Sequence, residues 1–200
     1  MIFYSYQKTE IILTLHWINT LVADLETCQS QNAGGYTVGI NGLDCAGKTT
    51  LALGLKAALE SRGQEARLMH VDDYNNIQGQ KRLYAAYEAG EFGATEFQEY
   101  YSASVDYPKL RAAIARARQG GSLTIVEGVF LFKPELADLI DYKVLLNTPE
   151  NLAFKRYKNR KAEVGDTRSE TVFTDIWVPA YKRYCEECQP EVQADRVFQQ

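Results

Sequence analysis

The chain predicts an α/β fold built on a parallel sheet, and three observations carry that prediction. Short apolar runs alternate with segments of helical periodicity along most of the 200 residues. A glycine-bounded loop joins the first such run to a helical segment. Acidic residues close two of the apolar runs, at the end of the sheet where ligands gather in folds of this class.

The elements follow in order. Ile11, Ile12, Leu15, Ile18, Leu21, Val22 and Leu25 recur at three- and four-residue spacing, which predicts a helix over 10–31 within an N-terminal extension of residues 1–33. Its apolar face packs on the domain or serves a partner. Asn32-Ala33-Gly34-Gly35 ends it and turns the chain into the first strand. That strand is Tyr36–Asn41, and the helix beyond the loop runs from Thr49 to Glu60, stopped by Ser61-Arg62-Gly63. Ala66–Val71 is a second strand that ends at Asp72-Asp73-Tyr74. Residues 75–92 are polar without a sustained strand pattern, so an irregular or mobile segment is expected. Residues 106–118 read as helix up to Gln119-Gly120-Gly121, and Ser122–Val126 is a third strand ending at Glu127-Gly128. Tyr142–Asn147 is a fourth strand, followed by a helix from Pro149 to Lys161, a polar stretch, a helix at 170–187 and a short last strand at Asp195–Phe198. With no internal repeat, low-complexity tract or linker, residues 1–200 read as one domain.

Composition excludes several classes. A hydrophobic content of 46% is enough to fill a sizeable core. A net charge of −4 and a pI near 5.3 give no electrostatic footprint for nucleic acid. No apolar run approaches the ~20 residues that span a bilayer. Ile11–Leu15 is too short, and too closely followed by polar residues, to be a signal peptide, so a cytoplasmic location is expected. Four cysteines make a poor disulfide framework for a domain of this size. Cys185-x-x-Cys188 supplies half of a tetrahedral zinc site, and His16 and His70 add no matching spacing, so these read as helix cysteines one turn apart.

The loop names a ligand class. Gly42-Leu43-Asp44-Cys45-Ala46-Gly47-Lys48-Thr49 has the form G-x-x-x-x-G-K-[ST], with Thr50 continuing into the helix. Glycines at the two borders admit backbone angles and approaches that a side chain blocks. Successive N–H groups of Asp44, Cys45, Ala46 and Gly47 then turn inward on phosphate oxygens, helped by the positive end of the following helix. Lys48 reaches the β- and γ-phosphates and the Thr49 hydroxyl binds Mg²⁺, which implies a nucleoside triphosphate. Oxidation of Cys45, inside this loop, would block the nucleotide.

Phosphoryl transfer needs positioning, charge neutralisation and a group to take the acceptor's proton. Asp72 and Asp73, at a strand end beside the loop, are the candidates for that group, and strand alternation sends the two apart. One is the base and the other supports it or binds metal; capping and turn formation are the plainer roles for such a pair. Glu127 ends the third strand, where an acid orients water on Mg²⁺ or meets the acceptor. Arg156, Lys158, Arg160 and Lys161 crowd one helix end, and Arg156 and Arg160 share a face. Arginines on a closing lid neutralise the transferring phosphoryl group, although a solvated basic face has the same pattern. Tyr100, Tyr101, Asp106 and Tyr107 are candidates to line an acceptor pocket, or to pack in the core.

Taken together, these pieces resemble the uridine kinase-like branch of the phosphate-loop kinases. The resemblance rests on the loop through Thr50, on Val71-Asp72-Asp73-Tyr74, on Ile125-Val126-Glu127-Gly128-Val129-Phe130-Leu131, on the basic segment Lys155–Lys161, and on Val178-Pro179-Ala180-Tyr181 with Tyr184, Pro190 and Ala194-Asp195. It implies a three-layer α/β fold with a central five-stranded parallel sheet and a helical lid. It also implies phosphorylation of a small-molecule hydroxyl by ATP or GTP with Mg²⁺. Under it Asp72 is the base, Glu127 belongs to the Mg²⁺ and acceptor site with Asp73 and Tyr74 nearby, and Arg156 and Arg160 are the lid arginines. Relatives in this branch often form dimers or tetramers. Two departures bear on the acceptor: Val105-Asp106-Tyr107-Pro108 lacks the histidine of the uridine kinase segment, and Arg160 is followed by Lys161 and Ala162 without the usual acid. The acceptor is therefore a nucleoside, or another small alcohol such as a vitamin or sugar. A nucleotide-dependent switch is the other class. Against it, the chain has no Asn-Lys-x-Asp segment to read guanine and no acid pair after 122–126 to activate water.

Overall fold

The computed structural model describes residues 2–29 and 35–200, with side chains in the first helix from Leu13 to Cys28. Five strands, β1 Thr37–Gly42, β2 Ala66–His70, β3 Leu123–Gly128, β4 Tyr142–Asn147 and β5 Arg196–Gln199, form one sheet in the order β2-β3-β1-β4-β5. Every neighbouring pair is parallel. The helices are α1 Ile2–Gln29, α2 Lys48–Glu60, α3 Ile77–Glu88, α4 Ala94–Ala103, α5 Tyr107–Gln119, α6 Glu150–Val164, α7 Val178–Cys188 and the single turn α8 Pro190–Gln193. This is the α/β class the alternation predicts. None of the described helices is long and apolar enough to cross a membrane.

Strand alternation divides the core into two layers. Val38, Ile40, Ile125, Val144 and Leu146 face α1 and α2, where they pack with Ile18, Leu21, Val22, Leu25, Leu51, Leu55 and Leu59. Val126 and Met69 face the other way, into a layer built from α4, α5, α7 and the segment after β3, including Leu110, Ile114, Phe132 and Tyr184. A parallel sheet covered on both faces needs apolar residues on both, which is why β1 and β3 are buried along their whole length.

The N-terminal helix is a structural part of the first layer. Ile18, Leu21, Val22 and Leu25 are buried as the periodicity predicts, but Leu15 is 55% exposed and lies off that face. Ile11, Ile12 and the Asn32–Gly34 part of the turn fall outside the side chains or residues described. Gly54 in α2 lets the two helices approach, since a Cβ there would stand 2.4 Å from Ile18 Cδ1. Asp24 fastens α1 to the far side of the sheet: it accepts from the Tyr142 hydroxyl at 2.6 Å and from Arg196 Nε and Nη2 at 3.0 and 2.8 Å.

One expectation about the helices is corrected. Residues 75–92 are not irregular, because α3 occupies Ile77–Glu88, with the Asn76 side chain accepting from Gly79 N at 3.0 Å as its cap. Helix α4 is a further element the polar pattern hid. The helix predicted at 170–187 is present, continuous over 171–188, with a π turn at Phe173–Trp177 that leads into α7. Pro179 has no N–H to donate one turn back, which fits the wider turn at that point.

Candidate active site

The phosphate loop leaves β1 and enters α2 as its sequence requires. Gly42 closes β1 against β4, with Leu146 O 2.8 Å from where a Cβ would stand, and Gly47 has φ 91°. Cys45 adopts φ 61° without being glycine. The Ala46 carbonyl is held by Gln200 Nε2 at 2.7 Å, tying the loop to the end of β5. Lys48 is buried and its Nζ donates to Leu43 O at 2.9 Å.

Asp44, Cys45, Ala46, Gly47, Lys48, Thr49 and Thr50 all line one cavity of about 1070 Å³, which Asp72, Glu127, Arg156 and Arg160 share. The structure therefore brings the loop, both acids and both arginines around one space. Gly42 does not line it and serves as the strand end behind it.

Each acid is placed by a different element. Glu127 lies within β3, directly across from His70 in β2 and Ile40 in β1, and is buried. Its Oε1 accepts from the Thr49 hydroxyl at 3.0 Å and lies 2.6 Å from His70 Nδ1. With Glu127 ionised, Nδ1 is the nitrogen that carries the proton. His70 entered the sequence argument only as a residue without zinc spacing; its place one strand across from Glu127 is what gives it a role. Asp72 and Asp73 do not end the strand. They sit on a 3₁₀ turn, Val71–Tyr74, so strand alternation does not set their directions. Asp72 points to the cavity with Asn75 Nδ2 3.5 Å from its Oδ1, whereas Asp73 is exposed and outside the lining.

The proposed acceptor residues are spread more widely. Tyr74 is half-buried and its carbonyl accepts from Asp106 N at 2.8 Å. The Asp106 side chain caps α5 by accepting from Lys109 N at 3.0 Å. Tyr101 is buried against Phe130, beneath the Lys133 ammonium, and donates to Glu187 at 2.7 Å. Tyr74, Tyr101 and Asp106 lie outside the lining of the cavity.

Charge around the loop is mixed. Burial pushes the Asp44 carboxyl up and Asp72 adds to this, while Lys48 and Arg160 pull it down. Burial also raises the Cys45 thiol, with Asp44 adding and Arg160 and Lys48 opposing. A thiol held protonated is a poor nucleophile, which argues against a reactive Cys45. Cys185 and Cys188 share α7, one turn apart.

One group of side chains escaped the sequence reading. Beyond α6, Arg168 binds Asp166 through Nε and Nη2, and its guanidinium lies over Trp177 at 4.9 Å and Tyr84 at 5.3 Å. Trp177 Nε1 donates to the Tyr84 hydroxyl at 3.1 Å, and Tyr100 packs beside Tyr84. Burial chiefly raises the phenols of Tyr84 and Tyr100, and none of Tyr84, Tyr100, Trp177 and Arg168 lines the cavity at the loop. The Gly165-Asp166-Thr167-Arg168 turn after the basic helix was the available signal.

No protein-family model matches the chain, and no curated protein matches its sequence. Solved structures do match. A "possible uridine kinase" from Bacillus stearothermophilus is 21% identical with a TM-score of 0.63, the match covering 93% of this chain and 97% of that one. A candidate fructose transport system kinase from Silicibacter sp. TM1040 is 20% identical with a TM-score of 0.57, covering 84% and 91%. The YGR205w protein is 12% identical with a TM-score of 0.62, covering 94% and 93%. The likeness to the first and third of these extends over nearly the whole chain and shows a shared fold.

Proposed function

We propose that the chain is a kinase that moves the γ-phosphate of ATP or GTP to a hydroxyl of a small molecule, with a nucleoside as the first candidate acceptor. The observation that carries this reading is the single cavity shared by the phosphate loop, Asp72, Glu127 and the two lid arginines. The loop amides and Lys48 hold the triphosphate tail. Asp72, at the mouth of the same space, accepts the proton of the attacking hydroxyl. Arg156 and Arg160, projecting from α6, neutralise charge on the phosphoryl group in flight.

The donor set fits Mg²⁺. Thr49 Oγ1 and the carboxylates of Glu127 and Asp72 are hard oxygen donors around one cavity, and these residues would hold the ion. Mg²⁺ usually keeps several waters and takes one or two carboxylates together with phosphate oxygens, a demand these few side chains would meet. When bound, it shields the negative charge between the β- and γ-phosphates.

The acceptor class is supported by the resemblance to the uridine kinase-like branch and by the likeness to a "possible uridine kinase". A vitamin-like alcohol or a sugar is the second reading, favoured by the roles of Tyr101 and Asp106 in packing and capping.

A phosphate-transfer screen over nucleosides, vitamin-like alcohols and sugars, with ATP and GTP compared, tests the assignment. Asp72→Asn is expected to lower turnover by about 10²–10⁴-fold while nucleotide affinity stays near wild type. Near-normal turnover in that variant refutes Asp72 as base, and nucleotide hydrolysis stimulated only by another protein points to a switch.

A further inference from the structure

The cavity extends well past the phosphate loop, and its far wall belongs to an element that no part of the proposed chemistry uses. Leu13, Thr14, Leu15, Trp17 and Ile18 of α1 line it together with Leu152 of α6. Leu13 and Leu15 are 41% and 55% exposed, flanking the side of the helix that Thr14 and Ile18 occupy. Large apolar side chains left partly open on a cavity wall are what a flat ring system covers. At about 1070 Å³ the cavity is at the upper end for a small-molecule site, so a triphosphate tail on the loop leaves room for the rest of a nucleotide.

Position and charge select the occupant. The loop fixes where the phosphates lie, and the apolar wall continues the same space, so the group that reaches it is the base attached to those phosphates. The three carboxylates of the lining, Asp44, Asp72 and Glu127, belong to the loop, to the 3₁₀ turn after β2 and to β3, and none stands on the wall that α1 and α6 form. Guanine presents an adjacent pair of donors, N1–H and N2–H₂, that a carboxylate matches with both oxygens; adenine presents only its N6 amino donor and has no such pair. Resting on the kinase reading, we propose that α1 forms the nucleobase subsite and that Leu13 and Leu15 bind the adenine of ATP. The helix is held for this task by the Asp24 bonds to Tyr142 and Arg196 and by the stacking of Trp17 on Phe198 at 5.0 Å.

The test compares Mg²⁺ complexes of ATP, GTP and inorganic tripolyphosphate by calorimetry on the full chain. The double variant Leu13→Ser/Leu15→Ser alters two side chains that are already partly exposed, so the fold survives it. Its ATP affinity is expected to fall about tenfold, from lost apolar contact, with tripolyphosphate affinity unchanged. Leu53→Ser, at a leucine of α2 equally exposed but outside the cavity, should leave both affinities as they were. Wild type should prefer ATP to GTP. Unchanged ATP affinity in the double variant, equal loss of ATP and tripolyphosphate, or equal binding of ATP and GTP each overturns the proposal. If the wild type binds neither ATP nor tripolyphosphate, the kinase reading itself fails, which is a separate result.

Discussion

Lys133 is a side chain whose cost can be read from its surroundings. It is 5% exposed, its Nζ donates to Tyr101 O at 2.6 Å, and it lies over the rings of Tyr101 at 3.6 Å and Phe130 at 4.9 Å. Burial pulls its pKa down to about 8, partly offset by Glu135, Cys188 and Glu187. A lysine whose folded value is depressed binds fewer protons folded than unfolded between that value and its ordinary one, so stability rises with pH across that window. The penalty is full below pH 8 and fades as the pH approaches 10.5. Relative to Lys133→Met, the wild type should gain about 2 kcal/mol of unfolding free energy between pH 7 and pH 10, at 1.36 kcal/mol per unit. Denaturant titrations at the two pH values check this, and a constant difference between the proteins would contradict it. Nothing in the sequence around Lys133 announces this burial; the rings of Tyr101 in α4, Tyr107 in α5 and Phe130 come from three segments that only the fold assembles. The phosphate loop is the opposite case, since Gly42 to Thr49 carry their backbone demands in their own residue types.

At the scale of elements, β2 and β3 act on Glu127 together. The register sets His70 opposite Glu127, and α2 brings the Thr49 hydroxyl to the same oxygen. Hydrogen bonds of this kind orient a ligating carboxylate, and their loss typically weakens metal binding by about 10–100-fold. His70→Ala should therefore raise the Mg²⁺ concentration needed for half-maximal nucleotide binding by roughly tenfold. His70→Gln, which keeps a donor on the side chain, should recover most of it. An unchanged Mg²⁺ dependence in His70→Ala would remove the positioning role. The strands and α2, α5 and α6 were legible because apolar period and glycine stops agree there. Helix α3 was not: it buries Leu83 and leaves Ile77 53% exposed, so its apolar stripe is thin, and the Asn76 cap was its one clear signal. Asp72 and Asp73 read as a strand end in the sequence because the short 3₁₀ turn that holds them has no periodicity of its own.

For the whole molecule, the question is what joins the first helix to the last strand. Asp24 gathers the Tyr142 hydroxyl and the Arg196 guanidinium from β4 and β5, and is only partly exposed. Removing it strands both partners, a loss of about 1–3 kcal/mol for charge-assisted bonds. Asp24→Ala should lower the unfolding midpoint by roughly 5 °C for a chain of this length. Differential scanning calorimetry measures it, and a midpoint within a degree of wild type would show that apolar packing alone seats the helix.

The pairing of β3 has a reach beyond the sheet. Because β3 lies between β2 and β1, sliding it by a single residue against either neighbour would swing Glu127 to the opposite side. Both of its hydrogen-bonding companions would then be lost in one step, and with them the arrangement proposed to receive the divalent ion. A misassembled population would thus be silent rather than sluggish, and titrating competent sites in a refolded batch would count the molecules whose central ribbon zipped in alignment.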